Sequence, residues 1–470
     1  MSHTQEGGLS RRALVMAFVM MAGSFISILN QNLMTTAVPR FMDVFSVSSS
    51  MAQWLTTAFM LTNGIVIPVT SYLIRKFSSR SLYFVAMGLF GVGTIACALA
   101  PSFHLLLVGR VIQALGAGMT MPLMQTVLFV MFPPDKRGTA MGYFGLVIAF
   151  APAIGPTISG WIIGSFPWEA LFLFILPLIV IDFIAAIFVV DNVTEQTDPE
   201  FDPFSVVLSS FGFGDLLYGF GMVSSLGWTD PHIVVTLAVS LVVIVWFVIR
   251  QLRLDVPMLE MRIFSFRHFT VAMILIVLVW VSFMGSSTLL PLLMQNDLGL
   301  SPLVSGLTLM AGGVAMGIMS PITGRTFDHH GPRPLIPIGM ALIACATALL
   351  ALTAASGGVV CIAVGYAVLL LGISMVSMPL TTYAMNSLPM ADVPHGTAMN
   401  NTIRQTVGAL GTAVFVSLME GVAAAVGGGA AGEITGTQTA FWVMCALAVV
   451  AFVISIALLH EKRPGSGEDA

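Results

Sequence analysis

Apolar runs of about 20 residues, each closed by a short polar break, follow one another along the whole chain, and a run of that length is what a helix needs to cross a ~30 Å hydrocarbon core. The runs lack the two-residue alternation of a barrel strand, so each predicts a membrane-spanning helix. They fall near 13–38, 51–74, 82–100, 105–131, 140–163, 168–190, 204–224, 232–250, 269–294, 302–323, 335–354, 359–385, 401–426 and 439–459, which makes fourteen spans. The first run follows Arg11 and Arg12 and has no clear small-residue cleavage site, which predicts a retained span rather than a leader. An even count puts both termini on one side, and the cations say which. With the termini cytoplasmic, the breaks holding Arg75, Lys76, Arg80, Lys136, Arg137, Arg325 and Arg333 all fall inside, with Arg404 at an inner helix end. Of the 18 lysines and arginines only Arg40 falls outside, and Arg110 lies within a span.

Within this pattern, span 5 stands apart. At about 100° per residue, Gly142, Gly145, Ala149, Ala153, Pro156 and Gly160 share one narrow face that is almost bare of side chains. Another helix can approach it closely, either as plain packing or as a moving contact, and Pro152 and Pro156 could serve as a pivot that only a membrane helix tolerates.

Composition agrees with the spans: 57% of residues are hydrophobic and 9% charged, against about 25% charged in soluble domains. A water-soluble enzyme is excluded, and the lipid bilayer is the first partner. The 4 cysteines all lie in apolar runs without CxxC or histidine spacing, so neither disulfides nor a metal is expected. A net charge of −4 without a basic block argues against nucleic acid, and the lack of a P-loop argues against ATP as an energy source.

The polar breaks repeat. Ser71 to Arg80 superposes on Gly324 to Arg333, and RGTAM (Arg137 to Met141) is echoed by HGTAM (His395 to Met399). Two echoes in matching order imply duplicated six-helix halves, 1–190 and 269–470, with a two-helix membrane hairpin and its linkers, 191–268, inserted between them.

Span 5 with Gly142, Gly155, Pro156 and Gly160, the span 4 run LLLVGRVIQALGAG (Leu105 to Gly118), the residues Gly324, Asp328, Gly331 and Arg333, and the segments PLLMQNDLGLSPLVSGL and NNTIRQTVGALGTA together resemble the major facilitator superfamily. Within it the chain resembles the fourteen-span drug:proton antiporters of the EmrB/QacA type, in their lincomycin-resistance branch. The resemblance implies an all-α membrane protein of the major facilitator fold, in a plasma or bacterial inner membrane. It further implies efflux of amphipathic small molecules by alternating access, driven by the proton motive force with no cofactor. The small residues of span 5 (Gly142, Pro152, Gly155, Pro156, Gly160) would then form a conformational motif, and Arg75, Lys76, Arg80, Gly324, Arg325, Asp328, Gly331 and Arg333 cytoplasmic gating loops. Two departures stand out. Ser71 and Arg75 occupy the places of the family's usual glycine and aspartate, so the acid that would clamp the first-half loop is absent. In LNQNLMTTAVP, Asn30 replaces an acid that relatives keep.

The candidate chemistry is sparse. Arg110 sits about 9 Å inside span 4, where lipid exposure would cost about 2.5–3.5 kcal/mol, so it should face protein or water. Gln113 and Met124 follow on nearly its face, and span 1 offers Asn30, Asn32 and Met34. Methionines such as Met378 suit a cavity that accepts several shapes. These are substrate-cavity candidates, though helix-to-helix hydrogen bonds and ordinary packing are the plainer roles. The membrane acids are Asp182, Asp215 and Glu420. Protonation is the cheap way to neutralise a carboxylate in lipid, so each is a proton-coupling candidate, with Glu420 placed first because span 13 echoes span 5. Export of a dedicated metabolite or lipid remains open, as does an accessory export protein. A membrane enzyme would need a constellation beyond Asp328, His329 and His330, so none is expected. A cysteine placed at Glu200 in a cysteine-free background should react with an impermeant maleimide only from the cytoplasmic side, and one at Thr435 only from outside. Outside labelling at Glu200 would refute the fourteen-span count.

Overall fold

Short polar breaks become helix ends because they carry the groups that close helices. The side chains of Ser48, Ser78, Ser102 and Ser301 each accept a hydrogen bond from the backbone N–H three residues on, and Gly331, at φ +74°, ends a helix in the left-handed region that only glycine enters freely. The computed structural model describes residues 11–35, 37–355 and 358–458; the chain ends, on which the expectation of inward termini falls, lie outside the described residues. Those residues form fifteen α-helices: α1 (Arg11–Thr35), α2 (Val38–Phe45), α3 (Ser49–Lys76), α4 (Ser79–Ala98), α5 (Phe103–Met131), α6 (Arg137–Ser165), α7 (Ala170–Val189), α8 (Pro203–Leu226), α9 (Pro231–Arg253), α10 (Arg267–Leu292), α11 (Pro302–His330), α12 (Pro332–Thr353), α13 (Val359–Asn386), α14 (Val393–Ala425) and α15 (Gly429–Leu458). All but α2 belong to the 14 that are long and apolar enough to cross a membrane. The short α2 buries Phe41 against Trp168 in what reads from sequence as a plain break.

Helices outrun the apolar stretches at the end of the bundle that carries Arg75, Lys76, Arg137 and Arg325, called here the basic end. Residues 324–330, read from sequence as a loop, are the last turns of α11, and Arg75 and Lys76 belong to α3. Helix α14 begins at Val393, so Arg404 is not at an inner helix end but three turns inside the helix and buried. The physical reason is general: hydropathy marks where lipid contact ends, whereas a helix continues for as long as its backbone bonds are made.

The six membrane helices before α8 and the six after α9 pack by one scheme. In the first set α1 packs on α6 and α7, α3 on α5, and α4 on α5 and α7; in the second α10 packs on α14 and α15, α11 on α13, and α12 on α13 and α15. The contacts between sets obey the same symmetry, α6 against α11 and α14 against α3. Helices α8 and α9 pack on each other, and α8 also on α3 and α14. Where α8 begins, Asp202 meets Arg250 of α9 at 3.0 Å. Partial burial opposes the ionised form of Asp202, but hydrogen bonds from Arg250 and Ser205 outweigh it and hold the carboxyl below its ordinary value. That contribution is present above the ordinary carboxylate range and is lost as pH falls through the lowered value.

Candidate functional site

The two six-helix sets meet most closely where α6 and α11 cross at the basic end. The backbone N–H groups of Gly138 and Thr139 both donate to the Asp328 carboxylate at 2.7 Å, and the Thr139 hydroxyl donates as well. A carboxylate here satisfies amides that have no partner within their own helix and sits at the positive end of the helix dipole. Above it the helices touch through glycine. A Cβ at Gly142 would lie 2.6 Å from the Ser320 carbonyl oxygen, and one at Gly145 would lie 2.8 Å from Cγ of Met378. At Gly142 the neighbour is backbone that cannot yield, whereas at Gly145 it is the Met378 and Ser320 side chains. The bare face of α6 is thus used over its first half only. Further out, Gly155 faces Asn32 of α1, Ser159 donates to the Leu33 carbonyl at 2.7 Å, Pro152 is exposed, and Gly160 has nothing within 4 Å. The expectation of one continuous contact face running to Gly160 is corrected: α6 leaves α11 beyond Ala153 and leans on α1.

The symmetric crossing of α3 and α14 is clamped without an acid. Oγ of Ser71 lies 2.7 Å from Nδ1 of His395, which also accepts the backbone N–H of Glu260 at 3.0 Å. The clamp expected to be missing is therefore replaced by neutral hydrogen bonds. Nearby, Thr126 meets Thr397 at 2.8 Å, Asn401 donates to Gln125 at 2.8 Å, and Arg137 donates to Asn386 at 2.8 Å. Among the loop candidates, Arg75 donates to the Pro257 carbonyl, Lys76 pairs with Asp198, Arg80 lies 3.7 Å from Asp191, and Arg325 donates to the Tyr143 hydroxyl. Gly324 touches Gly138, and Arg333 is exposed in the first turn of α12. A cavity of about 490 Å³ opens at this end between α1, α5, α6 and α11, lined by Met21, Leu128 and Phe132 as well as by Lys136 and Arg325.

Three cavity candidates come together inside the first set. Arg110, wholly buried, donates to Asn30 at 2.8 Å, to Gln113 at 2.9 Å and to the Leu55 carbonyl at 3.2 Å, with its guanidinium 4.2 Å from the Phe59 ring centroid. Asn30 therefore gives Arg110 a neutral amide oxygen and no counter-charge. Met34 and Met124 are buried in packing, Met378 lies on the α6 side of α13, and Asn32 is half-buried beside Gly155.

The acids separate. Asp182 is buried, its Oδ2 accepting the Tyr83 hydroxyl at 2.7 Å, while its Oδ1 has no partner among the described residues. Tyr83 also reaches the Val19 carbonyl, and Gly23 on α1 leaves the room both groups need. Asp215 lines a groove of about 340 Å³ between α3 and α8 with Ser210 and Tyr218. Glu420 is exposed near the far end of α14. Two partners were not foreseen. Tyr83 lies 99 positions from Asp182, with no local signal to link them, and His395 showed in the sequence only as the echo of Arg137.

Comparison with known proteins agrees with this geometry. Residues 20–412 match the family model of the Major Facilitator Superfamily. The MFS-type transporter YcnB of Bacillus subtilis (strain 168) is 46% identical over 97% of this chain and 97% of its own. The lincomycin resistance protein LmrB of Listeria monocytogenes serovar 1/2a is 37% identical over 89% of each chain. A solved structure of the proton:xylose symporter XylE covers 95% of this chain and 95% of its own with a TM-score of 0.66 at 14% identity, a likeness of fold alone. Asp328→Asn keeps the volume of the latch but removes its charge, so a cysteine at buried Thr397 should react with maleimide from the basic end about tenfold faster in that background. Unchanged labelling would mean that Asp328 holds nothing shut.

Proposed function

Because the chain belongs to the major facilitator superfamily, we propose that it exports amphipathic drugs or other toxic small molecules in exchange for inward-moving protons, with its basic end in the cytoplasm. The observation that carries this reading is the 37% identity to a lincomycin resistance protein over 89% of both chains. The cation distribution supports the orientation. In that orientation the α6–α11 and α3–α14 crossings hold the two sets together on the cytoplasmic side, and α6 parts from α11 towards the outside beyond Ala153. Glycine contacts between α6 and α11 allow the halves to part and rejoin without repacking large side chains, and the Asp328 latch favours one of two discrete arrangements, as alternating access requires.

Proton coupling falls to Asp182. Asn30 cannot titrate and Glu420 is exposed, whereas Asp182 is buried at mid-depth, has no cation in contact among the described residues, and holds a hydroxyl that can pass a proton. An unpaired carboxylate in such a place costs several kcal/mol, so Asp182 must bind a proton or be reached by water as the helices around it move. Gly23 puts α1 directly against the pair, and α1 also packs on α6, the helix that carries the latch. Movement at the seam therefore has a short mechanical route to the acid.

In proteoliposomes holding a pH-sensitive dye, lincomycin should drive proton release from the wild-type protein. Asp182→Asn should abolish that release while leaving downhill lincomycin exchange, and Glu420→Gln should leave both intact. Full proton release from Asp182→Asn would return the role to another carboxylate, and failure of the wild type to move lincomycin or any amphipathic drug would refute the export reading itself.

A further inference from the structure

A second buried arginine lies in the later set of helices, again without an acid. Arg404 is 5% exposed and sits eleven residues into α14, about 16 Å from its start at 1.5 Å per residue. Its Nη2 donates to the hydroxyls of Ser377 and Thr381, each at 2.9 Å, and to the Ser377 carbonyl at 3.3 Å. The Trp280 ring centroid lies 4.6 Å from its guanidinium carbon. Every one of these partners is neutral. Nε has no hydrogen-bond partner among the described residues. One turn earlier on the same face, Asn400 is fully buried, and neither its amide nitrogen nor its amide oxygen has a partner among the described residues. One turn later, a Cβ at Gly408 would lie 3.3 Å from Met284 and 3.6 Å from Nε1 of Trp280, which sets those two side chains against the same face.

An arginine that only tied α14 to α13 would have its remaining donor met, because a buried polar group left unmade costs about 1–3 kcal/mol and more when charged. Here an unmet guanidinium N–H and an unmet amide stand one turn apart. Together they offer donors to an oxygen acceptor and one acceptor to a neighbouring hydroxyl or N–H. Among the described residues no acid pairs with Arg404; Asp182 is bound to Tyr83, Asp215 lines the groove beside α8, and Glu420 is exposed. Arg110 is likewise held by neutral groups. Two guanidinium groups at this depth without counter-ions favour an anionic or oxygen-rich guest and oppose a purely cationic one.

We propose that Arg404 and Asn400 form a subsite for the carboxylate or other oxyanion of an amphipathic substrate, with Trp280 and Met284 receiving the adjoining apolar ring. The subsite rests on the reading of the chain as an exporter of small amphipaths, but its binding is measurable without transport. Planar recognition of an oxyanion is what a guanidinium does best, and the aromatic face beside it suits a flat ring.

The test uses two xanthene dyes of one scaffold and opposite charge, the anionic fluorescein and the cationic ester rhodamine 6G, titrated by fluorescence anisotropy against the full chain in detergent. Fluorescein should bind saturably, and Arg404→Gln should weaken it about tenfold while changing rhodamine 6G by less than threefold. Thr381→Val, which loosens the same contact but keeps the charge, should retain fluorescein binding, so a merely structural role for Arg404 would make the two variants fail alike. No saturable fluorescein binding, equal loss of both dyes in Arg404→Gln, or unchanged fluorescein affinity would each overturn the proposal. Proton-driven uptake of lincomycin into vesicles, run alongside, reports on the export reading separately.

Discussion

Three donors at the start of α6, two backbone N–H groups and one hydroxyl, converge on the carboxylate of Asp328 at the end of α11. Hydrogen bonds to a charged group contribute about 1.5–3 kcal/mol each at most, and part of that is offset by desolvating the carboxylate. Moving a two-state equilibrium from one side to the other takes about 5.5 kcal/mol. The latch therefore biases closure at the basic end by an amount that substrate and proton binding can reverse. It depends on glycine in turn: with any side chain at Gly138, Gly142 or Gly324 the two helices could not come close enough for the carboxylate to reach the amides.

The duplicated packing makes the departures from symmetry informative. The α6–α11 crossing is held by a charge and the α3–α14 crossing by the neutral contact of Ser71 with His395. One crossing thus carries most of the electrostatic bias, while the other opens at lower cost. The two buried arginines are alike instead: Arg110 and Arg404 are each held by neutral oxygens and an aromatic ring rather than by an acid.

The fourteen spans and the repeated breaks are legible in the sequence because both follow from period and hydropathy, which are local. The small face of α6 is legible for the same reason up to Ala153. Its outer part is not, because whether Gly160 meets a neighbour depends on the angle between two helices, and that angle is set by contacts far away in the chain. Arg404 shows how hydropathy misleads: the polar residues Asn400, Asn401 and Gln405 around it place it at a helix end in the sequence, yet α14 begins at Val393, and Asn401 and Gln405 are polar because they meet Gln125 and Met60 across the interface. The pairing of Tyr83 with Asp182 left no trace that a single sequence could reveal.

The α6–α11 seam closes one end of the bundle as it opens the other. Spin labels at Lys136 and His329 report the basic end, and labels at Gly160 and Leu307 report the opposite end, both by pulsed electron spin resonance in lipid nanodiscs. Introducing Asp328→Asn should lengthen the first distance and shorten the second in the same fraction of molecules. A basic end that lengthens while the opposite end stays fixed, or two distances that both hold still, would mean that the seam does not couple the two ends.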